Sequence, residues 1–210
     1  MRQLRETGWT AIPADLKPPK DGIVLDAADE DGWERVFDNV GDVDALVSCA
    51  GVRDRADIVD LELSVFQRML DVHVLGTFLG IRGIARRWQL RGRPGAAVTI
   101  ASVTSTHAVG GQIHYVAAKG AIAAMTRAAA IELGPSGSRV NSIAPGIIRT
   151  PMTADRLGDP AQTAWLMNRV PMQRPGEPSE VAAAAAFLLS DGASYINGIM
   201  LPVDGGWTAG

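Results

Sequence analysis

The chain has 210 residues and a formal net charge of −3; 47% of its residues are hydrophobic and 20% are charged. This length and composition predict one globular domain over residues 1–210. The charge argues against nucleic-acid binding, no apolar run is long enough to cross a membrane, and the first residues lack the apolar core of a secretory signal. The single cysteine, Cys49, cannot form an internal disulfide, so we expect a cytoplasmic protein.

Three short apolar runs in the first fifty residues predict strands. The first spans residues 9–14 and ends at Asp15, and the second spans residues 23–25 and ends at Asp26. An acidic turn then begins a helix whose apolar residues recur at helical spacing. The third strand, residues 43–47, leads into a turn that contains glycine.

Longer helices alternate with strands in the rest of the chain. Apolar residues at three- and four-residue spacing predict a helix over residues 64–88, and an alanine-rich run predicts another that ends near Leu133. A third helix begins at Pro178. The remaining strands are predicted at residues 96–101, 139–143 and 199–203. This alternation predicts an α/β fold with a mostly parallel sheet and helices on both faces.

Residues 151–175 are the least regular part of the chain, and we expect them to form a lid or substrate loop. Their large apolar side chains indicate an apolar lid and an apolar substrate, although such residues are more often part of a core. These side chains are Trp165, Leu166, Met167 and Met172.

Five arginines crowd the end of the 64–88 helix and the loop after it. Cations suit a helix C-terminus and usually mark a solvated face, so we expect a solvated face here and not an anion site. The five are Arg82, Arg86, Arg87, Arg91 and Arg93.

The segment from Ser102 to Lys119 contains the candidate catalytic groups. Tyr115 and Lys119 are four residues apart at the start of the alanine-rich helix, which places a phenol and an ammonium on one helix face. Ser102 closes the 96–101 strand, and ligands of open α/β sheets bind at the carboxyl ends of strands. We therefore expect the three side chains to meet near one point.

The histidines in this segment do not predict a metal site. His107 and His114 have no metal-ligand spacing to each other or to acidic residues. We expect both to lie in loops near the mouth of the pocket, and no metal is predicted.

Three further motifs follow in order. Residues 141–146 read Asn-Ser-Ile-Ala-Pro-Gly, residues 150–152 read Thr-Pro-Met, and residues 203–206 read Val-Asp-Gly-Gly. Together with Ser102 and the Tyr-x-x-x-Lys pair, they make the chain resemble the short-chain dehydrogenase/reductase family from the Asp15 strand almost to its end. The resemblance implies a three-layer, doubly wound fold of the Rossmann type.

By this resemblance, the protein would be an oxidoreductase that moves a hydride between a nicotinamide cofactor and a secondary alcohol or its ketone. Tyr115 would be the general acid/base and Ser102 would orient the substrate oxygen. Lys119 would lower the pKa of the phenol, which is about 10 in a free tyrosine, by roughly 1 to 3 units.

The resemblance also assigns the cofactor contacts. Asp15 would bind the adenosine ribose and repel a 2′-phosphate, which favours NAD over NADP; the alternative is a solvated aspartate at a strand end. Asp26 would lie beside the adenine, with turn capping as its alternative. The other implied cofactor residues are Ala50, Gly51, Tyr115, Lys119, Pro145, Gly146, Ile148 and Thr150. The last four of these would frame the nicotinamide, with the Thr150 hydroxyl meeting its carboxamide.

The largest departure from the family pattern concerns the Gly-rich loop that holds pyrophosphate. It should precede Asp15 by about 20 residues, but only fourteen residues precede Asp15. We therefore expect the first strand and its loop to be missing, which leaves two central strands with unpaired backbone groups that cost about 1 to 3 kcal/mol each. Either the start codon is assigned too late or the chain is truncated, with impaired cofactor binding.

Two single residues also depart from the pattern. His73 stands where the family has an asparagine, its fourth catalytic member, which helps to hold a water. Because histidine titrates near ~6.5, we expect His73 to relay protons with a pH dependence in that range; a packing histidine is the alternative. Cys49 stands where the family has an asparagine beside the adenosine, and we expect a small buried thiol.

Two functions of different class are therefore open. The intact Ser102, Tyr115 and Lys119 favour the enzyme, whereas the missing Gly-rich loop favours a truncated, non-catalytic Rossmann-like subunit that acts through protein association. The resemblance also implies a homotetramer or dimer built through two long helices. Small residues that would allow close helix approach are Ala117, Ala118, Gly120, Ala121 and Ala124.

Overall fold

The computed structural model describes residues 1–210, which form six strands and eight α-helices. The strands are β1 (Ala14–Asp15), β2 (Ile23–Val24), β3 (Ala45–Ser48), β4 (Ala96–Ile100), β5 (Arg139–Pro145) and β6 (Met200–Val203). The helices are α1 (Arg2–Glu6), α2 (Glu30–Val40), α3 (Leu63–Leu70), α4 (Gly76–Arg91), α5 (Ile113–Leu133), α6 (Ala154–Gly158), α7 (Pro160–Met167) and α8 (Pro178–Leu189). All strand pairs are parallel, which confirms the predicted fold class.

The strands lie in two separate sheets. Strands β3, β4, β5 and β6 form one sheet in that order, and β1 pairs only with β2. In the larger sheet, Ala96 of β4 lies opposite Ala45 on one side and Arg139 on the other. No pairing joins β1 to β3. Strands β1 and β3 therefore each have one unpaired edge, as the sequence predicts.

Strand β1 is shorter than predicted. Residues 9–14 were expected to be extended, but only Ala14 and Asp15 pair, with Ile23 and Val24. Two causes are visible: Pro13 has no N–H to donate, and β1 has no second neighbour. Trp9 instead packs against the cluster formed by β4, β5 and α8.

Helices cover both faces of the larger sheet, as the sequence predicts. Successive residues of β4 point to opposite faces. Ala97 belongs to the core that contains Phe37 of α2 and Ile84 of α4. Val98 belongs to the core on the other face, which contains Leu188 of α8. The two cores give the chain its three layers.

The predicted 64–88 helix is one continuous helical rod with a change in its winding. Helix α3 passes into a π-helical segment, Asp71–Leu75, which continues into α4. π-Helical turns are rare and often occur at functional sites. This one carries His73.

The arginines at the end of this rod pair with acidic residues. Arg86 and Arg93 lie on the predicted solvated face, whereas Arg82, Arg87 and Arg91 are partly buried. Arg82 pairs with Glu30 at 2.5 Å, and Arg87 pairs with Asp38 at 2.6 Å. Arg91 pairs with Asp44. The pairs tie α4 to α2 and to the start of β3.

Residues 151–175 are more regular than predicted, because they contain a short 3-10 turn and helices α6 and α7. Asp159 begins α7 by accepting hydrogen bonds from two backbone N–H groups. Leu166 is fully buried, so it is a core residue, whereas Trp165 and Met172 are exposed. No helix has the length and apolar character that a membrane span requires.

Gly83 and Gly120 provide a matched test of this packing. A Cβ at Gly83 would collide with the Phe37 ring, whereas a Cβ at Gly120 would meet nothing within 4 Å. We expect Gly83→Ala to lower the free energy of unfolding by about 1 to 3 kcal/mol through overpacking. Gly120→Ala should be neutral or raise it by about 0.5 to 1 kcal/mol, because alanine favours a helix interior. Urea unfolding of both variants measures the difference, and equal stabilities would contradict the packing of α2 on α4.

Candidate active site

The structure brings Ser102, Tyr115 and Lys119 together at the carboxyl end of β4. Tyr115 and Lys119 lie one turn apart on α5, and the Lys119 Nζ is 5.6 Å from the centre of the Tyr115 ring. The ammonium donates a hydrogen bond to the Ile100 carbonyl at 2.7 Å. Since Lys119 is only 4% exposed, this contact fixes α5 against the end of β4.

Burial dominates the ionisation of this pair. It raises the pKa of Tyr115, while a hydrogen bond with Ser102 and the charge of Arg53 oppose the shift. Burial also lowers the pKa of Lys119 to about 7. The expected lowering of the Tyr115 pKa by Lys119 is therefore not seen in this arrangement. The phenol is protonated at neutral pH and can donate a proton.

Ser102 is oriented by the turn that follows β4. It is buried, and its Oγ accepts a hydrogen bond from the Thr104 N–H at 3.1 Å. Because the oxygen already accepts from the backbone, the hydroxyl proton is left to donate toward Tyr115 or a substrate oxygen.

His73 lies against Tyr115. The two rings meet edge to face, with their centres 5.6 Å apart. The His73 Nε2 lies 2.7 Å from the Val52 carbonyl oxygen and 3.1 Å from the Val52 N, so it donates to the carbonyl or accepts from the N–H, depending on the tautomer. The Nδ1 atom is buried without a partner.

The prediction that His73 titrates near pH 6.5 is wrong. Burial, together with the charge of Lys119, lowers its pKa to about 4. The ring is therefore neutral near pH 6.5, and it cannot impart a pH dependence in that range.

The position of the His73 ring beside Val52 also explains why residue 51 is a glycine. A Cβ at Gly51 would lie 2.5 Å from the His73 Cε1. Gly51 was predicted as a cofactor residue only, and sequence reasoning missed its contact with His73. The signal available in the sequence was the presence of both Gly51 and His73, a glycine that leaves room and a bulky ring that needs it.

The other histidines lie in different surroundings. His107 is exposed and lines a cavity of about 680 Å³ with Trp165, Arg169 and Trp207, as expected for the mouth of a pocket. The same expectation is wrong for His114, which is fully buried in the first turn of α5. Both of its ring nitrogens lack a hydrogen-bond partner.

The residues predicted for the adenosine lie at the carboxyl ends of β1, β2 and β3. Asp15 is exposed, and its carboxylate accepts from the Lys17 N–H at 2.9 Å. Asp26 accepts from the Ala28 N–H at 3.0 Å, which is the turn-capping alternative; its adenine contact stays a prediction. Ala50 is exposed. The buried thiol expected at Cys49 is wrong: Cys49 is exposed, because nothing pairs with the free edge of β3.

The residues predicted for the nicotinamide follow β5. A Cβ at Gly146 would lie 2.8 Å from the Asp204 Cα, so the glycine lets the ends of β5 and β6 approach. Ile148 is buried. Thr150 begins a 3-10 turn in which its side chain accepts from the backbone of Thr153. Its contact with a carboxamide therefore stays a prediction.

These positions fit the two ends of a nicotinamide dinucleotide. An exposed carboxylate at Asp15 suits a ribose, and the exposed backbone at Ala50 allows close approach. Ser102 and Tyr115 lie at the carboxyl end of β4, the strand that pairs with β5. The 210 residues contain no Gly-rich strand-to-helix loop before β1, so no residue is assigned to the pyrophosphate.

A family model described as Enoyl-(Acyl carrier protein) reductase matches residues 5–208. The chain belongs to the short-chain dehydrogenase/reductase family. A relative, the 3-alpha-(or 20-beta)-hydroxysteroid dehydrogenase of Mycobacterium tuberculosis, is 37% identical over 204 residues, which are 95% of this chain and 75% of the relative.

Two solved structures are also similar to this short-chain dehydrogenase/reductase. The gluconate 5-dehydrogenase from Burkholderia cenocepacia in complex with NADP and tartrate is 29% identical, with a TM-score of 0.94 over 100% of this chain and 89% of the other. The 4-hydroxyisoleucine dehydrogenase complexed with NADH is 28% identical, with a TM-score of 0.93 over 100% of this chain and 92% of the other.

The family and these relatives make the protein an oxidoreductase of secondary alcohols or ketones that uses a nicotinamide cofactor. They do not support the non-catalytic subunit, since the relatives are named as dehydrogenases. The NADP and NADH complexes leave the choice of cofactor open.

The buried His73 predicts a pH-dependent stability. Its pKa is about 4 in the fold, whereas the ordinary value for histidine is 6.5. As the pH falls from 6.5 to 4, the unfolded chain gains a proton that the folded chain does not, so stability falls. The full effect is about 3 kcal/mol, reached below pH 4.

The control is His73→Asn, whose amide can donate to the Val52 carbonyl or accept from the Val52 N–H but does not titrate. Urea unfolding at pH 7.5 and 4.5 should show a loss of stability that is about 2 to 3 kcal/mol smaller in the variant than in the natural protein. Equal losses would show that the imidazole is not held neutral.

Proposed function

We propose that this short-chain dehydrogenase/reductase moves a hydride between NAD and a secondary alcohol or its ketone, with Tyr115 as the general acid/base. The observation that carries the proposal is the convergence of Ser102, Tyr115 and Lys119 at the end of β4. The bound nicotinamide would supply the hydride chemistry.

The side chains would handle the substrate oxygen and its proton. Ser102 would donate a hydrogen bond to that oxygen and hold it beside the phenol. Tyr115 would give its proton to a ketone oxygen, or take the proton of an alcohol in the reverse direction. Its raised pKa favours the donating role at neutral pH. Lys119, with a pKa of about 7, would carry a proton between the site and solvent.

His73 would act on Tyr115 as a positioning residue. Its ring is locked by the Val52 carbonyl and packs edge-on against the phenol ring. The unpartnered Nδ1 lies at the buried side of the site and would hydrogen-bond a water there, as acceptor or donor according to the tautomer. This role uses the neutral imidazole throughout the physiological pH range.

Tyr115→Phe should reduce turnover by about 10²-fold or more, because it removes the transferable proton. Binding of NADH, followed by fluorescence, should stay unchanged. The matched control is Tyr195→Phe, which alters the fully exposed second tyrosine and should leave turnover unchanged. Retained turnover in Tyr115→Phe would refute the assignment.

Asp15 supports NAD as the cofactor. Its carboxylate is exposed at the end of β1, where it would accept hydrogen bonds from a ribose 2′-hydroxyl and repel a 2′-phosphate. The neighbouring Lys17 and Lys20 are cations that would attract a 2′-phosphate and so favour NADP.

Asp15→Asn removes this repulsion, and we expect the ratio of kcat/KM for NAD to that for NADP to fall by about tenfold. Asp60→Asn, at an exposed loop position, is the control for a lost surface charge. A ratio that does not change in Asp15→Asn would remove the basis for preferring NAD.

We also propose a cytoplasmic homo-oligomer, a dimer or tetramer, with residues 151–175 as the lid over the substrate. Several large apolar side chains of α4 and α5 are exposed in the single chain, which supports assembly through these helices. They are Phe78, Leu90, Ile113 and Ile131.

A further inference from the structure

A cavity of about 680 Å³ lies between three segments of the chain. These are the loop from β4 to α5, the end of α7 with the residues after it, and the turn that follows β6. The volume is within the range of about 300 to 1,000 Å³ that is usual for small-molecule sites. None of the residues predicted for the cofactor lines the cavity, so it is available to the substrate.

The walls of this cavity lie at the same edge of the sheet as Ser102. His107 is part of the lining, and its N–H donates to the carbonyl of Val103, the residue after Ser102, at 2.9 Å. The turn after β6 begins at Asp204, whose Cα would lie 2.8 Å from a Cβ at Gly146, directly after β5. Both walls therefore stand at the carboxyl ends of the parallel strands, where Ser102 ends β4.

The lining of the cavity is mainly apolar. Two indoles from separate segments, Trp165 and Trp207, line it together with Val109 and Pro171. No aspartate or glutamate side chain is among the lining residues. Apolar and aromatic walls favour a ligand that is itself largely apolar.

The two polar side chains of the lining already have partners within the chain. The guanidinium carbon of Arg169 lies 3.6 Å from the centre of the Trp165 ring, and its Nη1 donates to the Trp165 carbonyl at 3.0 Å. This carbonyl belongs to the last turn of α7, where a cation is favoured. The His107 Nδ1 hydrogen-bonds with the Thr106 hydroxyl at 2.9 Å. Arg169 therefore holds the Trp165 indole in place.

A carboxylate holds the second indole. Asp204 accepts from the Gly206 N–H at 2.9 Å, and from the Thr208 N–H and hydroxyl at 2.9 and 2.7 Å. These bonds fix the backbone on both sides of Trp207.

The turn after β6 packs directly on the segment that follows α7. The Gly205 carbonyl accepts from the Met172 N–H at 3.1 Å. A Cβ at Gly205 would lie 2.7 Å from the Val170 Cγ1, and one at Gly206 would lie 2.9 Å from the Pro171 Cγ. The two glycines also have φ angles of 65° and 92°, which other residues rarely adopt. These contacts join the two walls that carry the indoles, so the cavity is preformed.

We propose that this cavity holds the carbon skeleton of the substrate, and that the substrate is a secondary alcohol or ketone on a bulky, uncharged ring system. A rigid ring would bury apolar area against the indoles and lose little conformational entropy on binding. Trp165 and Trp207 would determine specificity, with Arg169 and Asp204 as positioning residues. The proposal rests on the proposed function, since it requires the reacting oxygen to lie at Tyr115.

Binding without chemistry is measured by calorimetric titration with 1-adamantanol. This cage alcohol is tertiary, so its carbinol carbon has no hydride to transfer. We expect it to bind at least about tenfold more tightly than tert-butanol, its small tertiary match. Trp165→Ala and Trp207→Ala should each weaken its binding by about tenfold, and Trp165→Phe and Trp207→Phe should restore most of the loss. Tyr195→Ala removes a fully exposed aromatic ring and should change nothing.

Turnover is compared between decalin-2-ol and butan-2-ol. The ring alcohol should have a kcat/KM that is higher by about 10²-fold or more, because each methylene bound in an apolar pocket is worth about tenfold. Trp165→Ala and Trp207→Ala should raise KM for decalin-2-ol by about tenfold and leave kcat for butan-2-ol unchanged. Asp204→Ala should also raise KM for decalin-2-ol, and Asp204→Asn, which keeps an acceptor oxygen, should restore part of it.

Adamantane-1-carboxylate tests the charge of the ligand. We expect it to bind no more tightly than 1-adamantanol, because Arg169 is engaged by α7 and a carboxylate loses hydration in an apolar cavity. Arg169→Gln should then leave the ratio of the two affinities unchanged. A carboxylate that binds more tightly, with a preference that Arg169→Gln abolishes, would refute the uncharged class.

The outcomes separate this proposal from the proposed function. Tryptophan-dependent binding of 1-adamantanol without turnover of any alcohol would support the cavity site and refute the dehydrogenase roles. Equal kcat/KM for the two alcohols, with 1-adamantanol binding unchanged in the tryptophan variants, would refute the cavity site alone. Tryptophan variants that weaken NADH binding but not 1-adamantanol binding would also refute it, because the cavity would then serve the cofactor.

Discussion

The buried ammonium of Lys119 is the contact on which the active site depends. A charge removed from water must find a partner, and the Ile100 carbonyl at the end of β4 is the one it has. This requirement fixes the first turns of α5 against β4 and so places Tyr115 beside Ser102. The same burial lowers the pKa of Lys119 to about 7, which lets a lysine exchange protons near neutral pH.

A second constraint reaches the tyrosine from the π-helical segment. The wider turn carries His73 to the Val52 carbonyl on one side and to the Tyr115 ring on the other. Only a glycine at position 51 leaves room for this imidazole. The π-helical turn and Gly51 therefore both determine where the His73 ring lies. Burial keeps this ring neutral.

The partly buried arginines fall into two groups according to their partners. On α4 they face carboxylates of α2 and the β3 segment, and these exposed pairs contribute little individually to stability. Arg53 and Arg156 are partly buried and form no ion pair; Arg53 donates to the Gln112 Oε1 instead.

The sequence by itself determined the α/β class, the order of the elements and the Ser102, Tyr115 and Lys119 group, because periodicity and spacing along the chain encode them. It also indicated that β1 and β3 would lack a strand between them. Only the tertiary structure decided the short β1, the π-helical turn, the neutral His73 and the exposed Cys49. These features depend on burial and on contacts between distant segments, and such contacts set winding, pKa and exposure in ways that local patterns do not contain.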